Sequence, residues 1–117
     1  MTQRIMELAR TLGGVRDDEE ELLATLCGAA QRELTQSLRD GVRPEDCSEP
    51  FVLAGAWIVL AGLEVSREAG QAESFSAGDV SVHSGNAGEK VRLLREQAKR
   101  LMKGWSRNDS FLFYGVS

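Results

Sequence analysis

Apolar residues recur every three or four positions along most of this 117-residue chain, which is the spacing of amphipathic helices. The pattern predicts a first helix over Thr2–Leu12, which ends at a pair of glycines where a left-handed cap is cheapest. A second amphipathic helix follows, and Gly41 closes it. We expect Asp17 to cap this helix together with Glu20, because a carboxylate three positions on can reach back to the cap.

The third helix is predicted over Glu49–Ala69, with Ser48 as its N-cap, and it is apolar on nearly every face. Such a helix is surrounded either by its own domain or by neighbouring subunits. Gly55 and Gly62 share one face, so another backbone can approach closely there. The pattern is consistent both with a central core helix and with a helix buried in an oligomer.

The apolar run Phe51–Val65 is 15 residues long and contains two glycines. A membrane-spanning helix needs about 20 apolar residues, so we expect a buried helix and no membrane partner. The N-terminus also lacks the basic and then apolar order of a signal peptide.

A fourth helix is predicted over Gly88–Gly104, with a clear apolar stripe that includes Leu94 and Leu101. Its opposite face is basic. The cations that recur at three and four on this face, and that could meet phosphates, are Arg92, Arg95, Lys99 and Lys103. The alternative interpretation is the solvated face of an ordinary amphipathic helix.

Residues 70–87 interrupt the helical pattern with a composition rich in Gly, Ser and Ala. A Gly-Asp turn inside the stretch SFSAGDVSVHS would form a short β-hairpin, with Phe75, Ala77, Val80 and Val82 on one face. One extended strand bent at Gly78 is the alternative. An isolated pair of four-residue strands is marginal in water, so these apolar residues need either a neighbouring subunit or the chain's own helices.

The composition is that of one globular domain over residues 1–117, with 42% apolar and 27% charged residues and a net charge of −4. The acids crowd Asp17–Glu21, whereas the C-terminal third is basic. Cys27 and Cys47 have neither metal-site nor disulfide-framework spacing, which favours a reducing compartment. The fold class is therefore mainly α, a four-helix domain with a short β-hairpin or extended segment between helices 3 and 4, and an aromatic tail over residues 106–117.

No residue pattern in the chain indicates catalysis. The single histidine, His83, has only serines as close neighbours, and a nucleophile and base are not assembled by sequence proximity alone. The glycines around Gly78 and Gly85 lack the lysine and the spacing of a phosphate-binding loop. We therefore expect no enzyme activity, no cofactor and no metal.

The order of features resembles a known family. A short helix, an acid-capped helix, an apolar helix with a tryptophan, the segment SFSAGDVSV and a last amphipathic helix are similar in order to the small head-to-tail connector (adaptor) proteins of long-tailed bacteriophages and prophages. The motif-like part is Ser74–Val82, which is akin to the Ser-x-Gly-Asp-Val-Ser-Val segment that those proteins carry after their third helix. The closing FLFYGV resembles the tail of related prophage proteins, whereas the long linker of larger members has no counterpart here.

This resemblance implies a structural virion protein at the head-tail interface, assembled in the host cytoplasm. About a dozen copies would form a closed ring beneath the portal protein, extend the DNA channel and dock the next head-completion or tail protein. Double-stranded DNA would pass non-specifically. The contacts with neighbouring copies and the portal that the resemblance implies are Phe75, Val80, Val82, Phe111, Phe113 and Tyr114.

The second hypothesis is a small helical nucleic-acid-binding or regulatory protein. Its DNA contacts would come from the basic face of the last helix, and its affinity would fall steeply with salt because binding releases counterions.

Overall fold

The computed structural model describes residues 1–74 and 80–107, and it leaves out the side chains at 70–74 and 80–87. Four α-helices make up most of this part, so the prediction of a mainly α, four-helix domain is confirmed. The helices are α1 (Thr2–Gly13), α2 (Glu20–Ser37), α3 (Ser48–Ser74) and α4 (Val80–Leu101), and short 3₁₀ turns at Asp17–Glu19 and Pro44–Cys47 precede α2 and α3. The described residues contain no strand, only an isolated bridge between Leu38 and Ser106.

The turn from α1 into α2 differs in one detail from the prediction. Gly14 adopts the expected left-handed conformation, with φ of 58°. The expected cap of Asp17 with Glu20 is wrong, because the Arg16 backbone N–H donates to Glu19 Oε1 at 3.1 Å. Glu19 lies three positions after the N-cap residue Arg16, and its carboxylate satisfies a backbone donor that the turn leaves unpaired.

Helix α2 ends at Ser37, earlier than the predicted end at Gly41. Leu38 is extended, and Arg39 N–H donates to the Trp105 carbonyl at 3.0 Å. The end of α2 is thus held by the residues that follow α4, which itself ends at Leu101 rather than at Gly104.

Helix α3 is the central helix and packs against α1, α2 and α4. Phe51, Val59 and Leu63 are completely buried in a single chain. Glycines let two neighbours approach closely, since a Cβ at Gly55 would lie 2.7 Å from Ile5 Cδ1, and one at Gly62 would lie 2.7 Å from Leu26 Cδ2. These faces of α3 are buried within one chain, as expected for a central core helix. The core residues outside α3 are Ile5, Ala9, Leu23, Cys27, Ala30, Leu34, Leu38, Cys47, Ala98 and Met102.

The prediction of a hairpin or extended segment over residues 70–87 is wrong at residues 70–74 and 80–87, which are helical. Helix α3 continues to Ser74, and α4 already begins at Val80, so Val80 and Val82 are helical. Residues 75–79, including Phe75, lie outside the described residues. Each residue added to an existing helix gains one backbone hydrogen bond, whereas two short strands without a sheet are marginal, and the helices therefore extend at the expense of the predicted strands.

Candidate interaction surface

The apolar contact residues predicted from the sequence are only partly placed by the structure. Val80 and Val82 lie in the first turns of α4, at the junction with α3. Phe75, Phe111, Phe113 and Tyr114 lie outside the described residues. Whether these six residues form one contact surface therefore stays a prediction.

The predicted basic stripe carries carboxylates as well as cations. Arg92 Nη2 lies 2.5 Å from Glu89 Oε1, and Arg92 Nη1 lies 2.7 Å from Glu96 Oε1. The arginine lowers the pKa of Glu89, mainly through their hydrogen bond. Pairs at i,i+3 and i,i+4 of an exposed helix support that helix by a few tenths of a kcal/mol. Arg92 is thus engaged within α4 itself.

Arg95 and Lys90 connect α4 to its neighbours. Arg95 Nη1 lies 2.7 Å from Glu33 Oε2 on α2, and Lys90 Nζ lies 3.2 Å from Glu64 Oε2 on α3. Lys99 is exposed further along α4, whereas Lys103 is exposed in the turn that follows the helix. The predicted helical stripe is therefore wrong for Lys103, and carboxylates partly neutralise the charge of Arg92 and Arg95.

The partly exposed face of α3 is apolar, and the sequence alone did not single it out. Leu53, Trp57 and Leu60 follow one another at spacings of four and three, and all three are only partly buried. Glu64 continues the same face, and its ion pair with Lys90 shows that this face borders α4.

Leu93 extends this apolar surface onto α4. It lies three residues after Lys90, on the same side of α4, and its exposed fraction is 50%. The short connection makes α3 and α4 antiparallel, so Leu93 lies level with the region of Leu60. We name this surface the outer apolar strip: Leu53, Trp57, Leu60 and Leu93.

The end of α1 borders the outer apolar strip. A Cβ at Gly13 would lie within 3.4 Å of Leu60 Cγ, so the Leu60 side chain rests against the last turn of α1. The preceding residue, Leu12, has an exposed fraction of 44%. Surface leucines occur singly in most proteins, but apolar side chains that fall together on neighbouring faces of α3 and α4, with Leu12 of α1 at their border, are a candidate interaction surface.

No metal-binding cluster of three or more His, Cys, Asp or Glu side chains occurs among the described residues. Cys27 and Cys47 are buried free thiols, and burial raises the pKa of each. A raised pKa keeps them as thiols at neutral pH, which suits small core residues better than nucleophiles. His83 lies within α4, and its side chain is not described.

The helical stretch Pro44–Ala69 is long and apolar enough to cross a membrane by length and composition alone, and the mean hydropathy of its most apolar 18-residue window is 1.4. Half of its most apolar window is buried by the rest of the chain. A core helix passes the same test, and the packing of α3 against three helices accounts for its apolar character.

The outer apolar strip was missed because α3 is apolar on nearly every face in the sequence. The periodicity could not separate buried faces from a partly exposed one. Leu93 could have indicated this surface, because it lies beside the apolar stripe that includes Leu94 and Leu101 and not on it.

Comparisons with known proteins do not identify a role for this surface. No family model, no curated protein and no solved structure matches the chain. The function has to be argued from the residues of the chain itself.

Proposed function

We propose that this chain is a structural head-to-tail connector of the bacteriophage type. Copies of it would form a ring under the portal, extend the DNA channel and dock the next tail-completion protein. The observation that carries the proposal is the segment Ser74–Val82, with its similarity to the connector segment that follows a third helix. In this chain the segment falls at the junction of the two longest helices, since Ser74 ends α3 and Val80 begins α4.

The helical architecture supports the proposal. The resemblance implies a helical domain with an apolar third helix, and α3 is the central helix of a mainly α fold. A ring needs two different surfaces on each copy, because heterologous contacts repeat around a closed symmetry axis. The α3–α4 junction and the aromatic tail supply two such apolar segments, at Phe75–Val82 and Phe111–Val116.

The mixed charge on α4 also fits a DNA passage. A channel must let DNA slide, so its wall should not hold phosphates as tightly as an unpaired cationic stripe would. Arg92 and Arg95 already face carboxylates. The same ion pairs give less support to the second hypothesis, a nucleic-acid-binding protein that uses this face.

The direct test is binding to the portal protein encoded in the same genome. We expect the purified chain to add to portal rings, seen as a mass increase by native mass spectrometry. A chain that lacks residues 111–117 should lose this binding while its helical content, measured by circular dichroism, stays unchanged. The matched control is Asp109→Asn, which alters a polar residue just before the deleted part.

Two results would contradict the proposal at different levels. If the full chain adds no mass to portal rings at any concentration tested, the connector function is wrong. If the shortened chain still joins heads to tails in an assembly assay, the function stands but the assignment of the tail contact is wrong.

A further inference from the structure

The described part of the chain ends at the same end of the α3–α4 pair as Leu53, the first residue of the outer apolar strip. Lys90 and Glu64 fix the register of α4 against α3. From that pair to Leu101 on α4, and to Leu53 on α3, the distance along each helix is about 16 Å at a rise of about 1.5 Å per residue. Leu101 is therefore level with Leu53, at one end of the strip.

The residues after α4 are fastened at this same end. Arg107 N–H donates to the Ser37 carbonyl at 2.8 Å, and Arg107 Nε donates to the Leu38 carbonyl at 3.2 Å. Ser106 is almost completely buried, with an exposed fraction of 1%. The chain beyond Arg107 therefore starts beside the end of α2, at the end of the α3–α4 pair where Leu53 and Leu101 lie.

The segment that follows, residues 108–117, matches the strip in length and in chemistry. From Leu53 to Leu60 the strip is about 10 Å long. Phe111 and Phe113 lie four and six residues beyond Arg107, so they can lie up to about 13 Å and about 20 Å from it, which exceeds the length of the strip. Its apolar residues are Phe111, Leu112, Phe113, Tyr114 and Val116.

We propose that residues 108–117 bind the outer apolar strip of their own chain, with Phe111 and Phe113 against Trp57 and Leu93. The favourable step is the removal of both apolar surfaces from water. The segment is part of the same chain and starts within its own reach of the strip, which gives it an effective concentration in the millimolar range. A second copy at micromolar concentration would not displace it, and this favours the intramolecular contact over exchange between copies.

The intramolecular contact would exist in the isolated chain whether or not the protein joins a connector ring. Absence of this contact would therefore not argue against portal binding, and absence of portal binding would not argue against the contact, because the two are measured on different samples.

Trp57 is a built-in probe for this contact. The chain has two tryptophans, so a Trp105→Phe background leaves Trp57 as the only indole. In that background we expect removal of residues 108–117 to shift the Trp57 emission to longer wavelength and to increase its quenching by acrylamide. Phe111→Ser with Phe113→Ser should give the same shift, whereas Asp109→Asn should not.

A matched pair on the helices tests the other side of the contact. Leu93→Ser should reproduce the change in Trp57 emission, because it removes an apolar side chain from the strip. Val65→Ser should leave the emission unchanged. Val65 is about as exposed as Leu93, at 55%, but its helical position lies outside the face that Leu53, Trp57 and Leu60 share. Circular dichroism of both variants checks that the helices remain folded.

The results that would overturn the proposal are specific. Trp57 emission and quenching that stay the same without residues 108–117 would show that the segment does not cover the strip. A tail-dependent signal that appears only where light scattering detects dimers would assign the contact to a second copy. An equal response of Leu93→Ser and Val65→Ser would show a general loosening of the fold instead of a defined contact.

Discussion

Arg67 on α3 donates two hydrogen bonds to Glu19, each 2.8 Å long, from Nε to Oε2 and from Nη2 to Oε1. The same carboxylate accepts the backbone N–H of Arg16 at 3.1 Å. Glu19 has an exposed fraction of 8%, so this bidentate pair works in partly desolvated surroundings. One side chain therefore closes the turn before α2 and ties it to the central helix.

Protonation of Glu19 should lower the free energy of unfolding at low pH. The hydrogen bonds from Arg67, and then that from Arg16, lower its pKa to about 2. A carboxyl whose pKa is lower in the folded state stabilises the fold above its unfolded pKa of about 4.3, and this contribution disappears as the pH falls toward 2. We expect a loss of up to about 3 kcal/mol in unfolding free energy over this range, measured by urea titration at several pH values.

The variant Glu19→Gln isolates this contribution. It should cost about 2 kcal/mol at neutral pH, because Arg67 loses its charged partner while remaining mostly buried. It should also remove the corresponding part of the pH dependence. Glu7→Gln makes the same chemical change at an exposed position and is the control. An unchanged pH profile in Glu19→Gln would show that other groups cause the acid sensitivity.

Replacement of two helical glycines by alanine should change the free energy of unfolding in opposite directions. A Cβ at Gly55 would lie 2.7 Å from Ile5 Cδ1 and 2.9 Å from Ile5 Cγ1, and Ile5 is fully buried. Overpacking of about 1–3 kcal/mol exceeds the gain in helix propensity, so Gly55→Ala should lower the unfolding free energy by about 1 kcal/mol. Thermal and urea unfolding measure the change.

Gly88→Ala is the matched control within α4. A methyl group at this position meets none of the described atoms within 4 Å. The substitution should raise the unfolding free energy by about 1 kcal/mol, because alanine loses less backbone entropy in a helix. A gain at Gly55 equal to that at Gly88 would contradict the close packing of α1 on α3.

Binding to double-stranded DNA should be weak and confined to low salt. Arg92 and Arg95 have carboxylate partners at 2.5–2.7 Å, and a phosphate would have to displace Glu89, Glu96 or Glu33. We expect fluorescence anisotropy to show no binding of a labelled duplex at about 0.15 M salt, where screening is strong. Tight binding there, reduced by substitution of Lys99 and Lys103, would favour the nucleic-acid-binding hypothesis over the connector.

The aromatic tail takes part in both proposals. It can fill the two roles one after the other, first on its own chain and then on the portal. Bound to its own strip, the tail would shield Phe111 and Phe113 while the protein is alone. Binding to a portal would then require the tail to leave the strip, and the portal would have to compete against a tethered ligand.

The sequence was sufficient to predict the structural elements that are determined by residues within a few helical turns of each other. It predicted four helices, the glycine cap after α1 and the apolar stripe on α4, because each is encoded by residues within one or two helical turns. It failed at residues 70–74 and 80–87, where a Gly-Ser-rich composition suggested strands. The helices on either side continue there, since extending a helix requires no new nucleus.

Tertiary structure decided what depends on residues far apart in the chain. The spacing of the acids near α2 favoured Asp17 and Glu20 as the capping pair, whereas Arg67, 48 positions away, holds Glu19. The basic stripe of α4 could be identified from the sequence, but its pairing with Glu33 could not, because that carboxylate belongs to another helix. Likewise, the apolar pattern of α3 shows that the helix is surrounded, and only the packing of α1 and α4 decides that Leu53, Trp57 and Leu60 stay partly exposed. Local periodicity sets which face of a helix is apolar, and the arrangement of neighbouring helices sets which part of that face is covered.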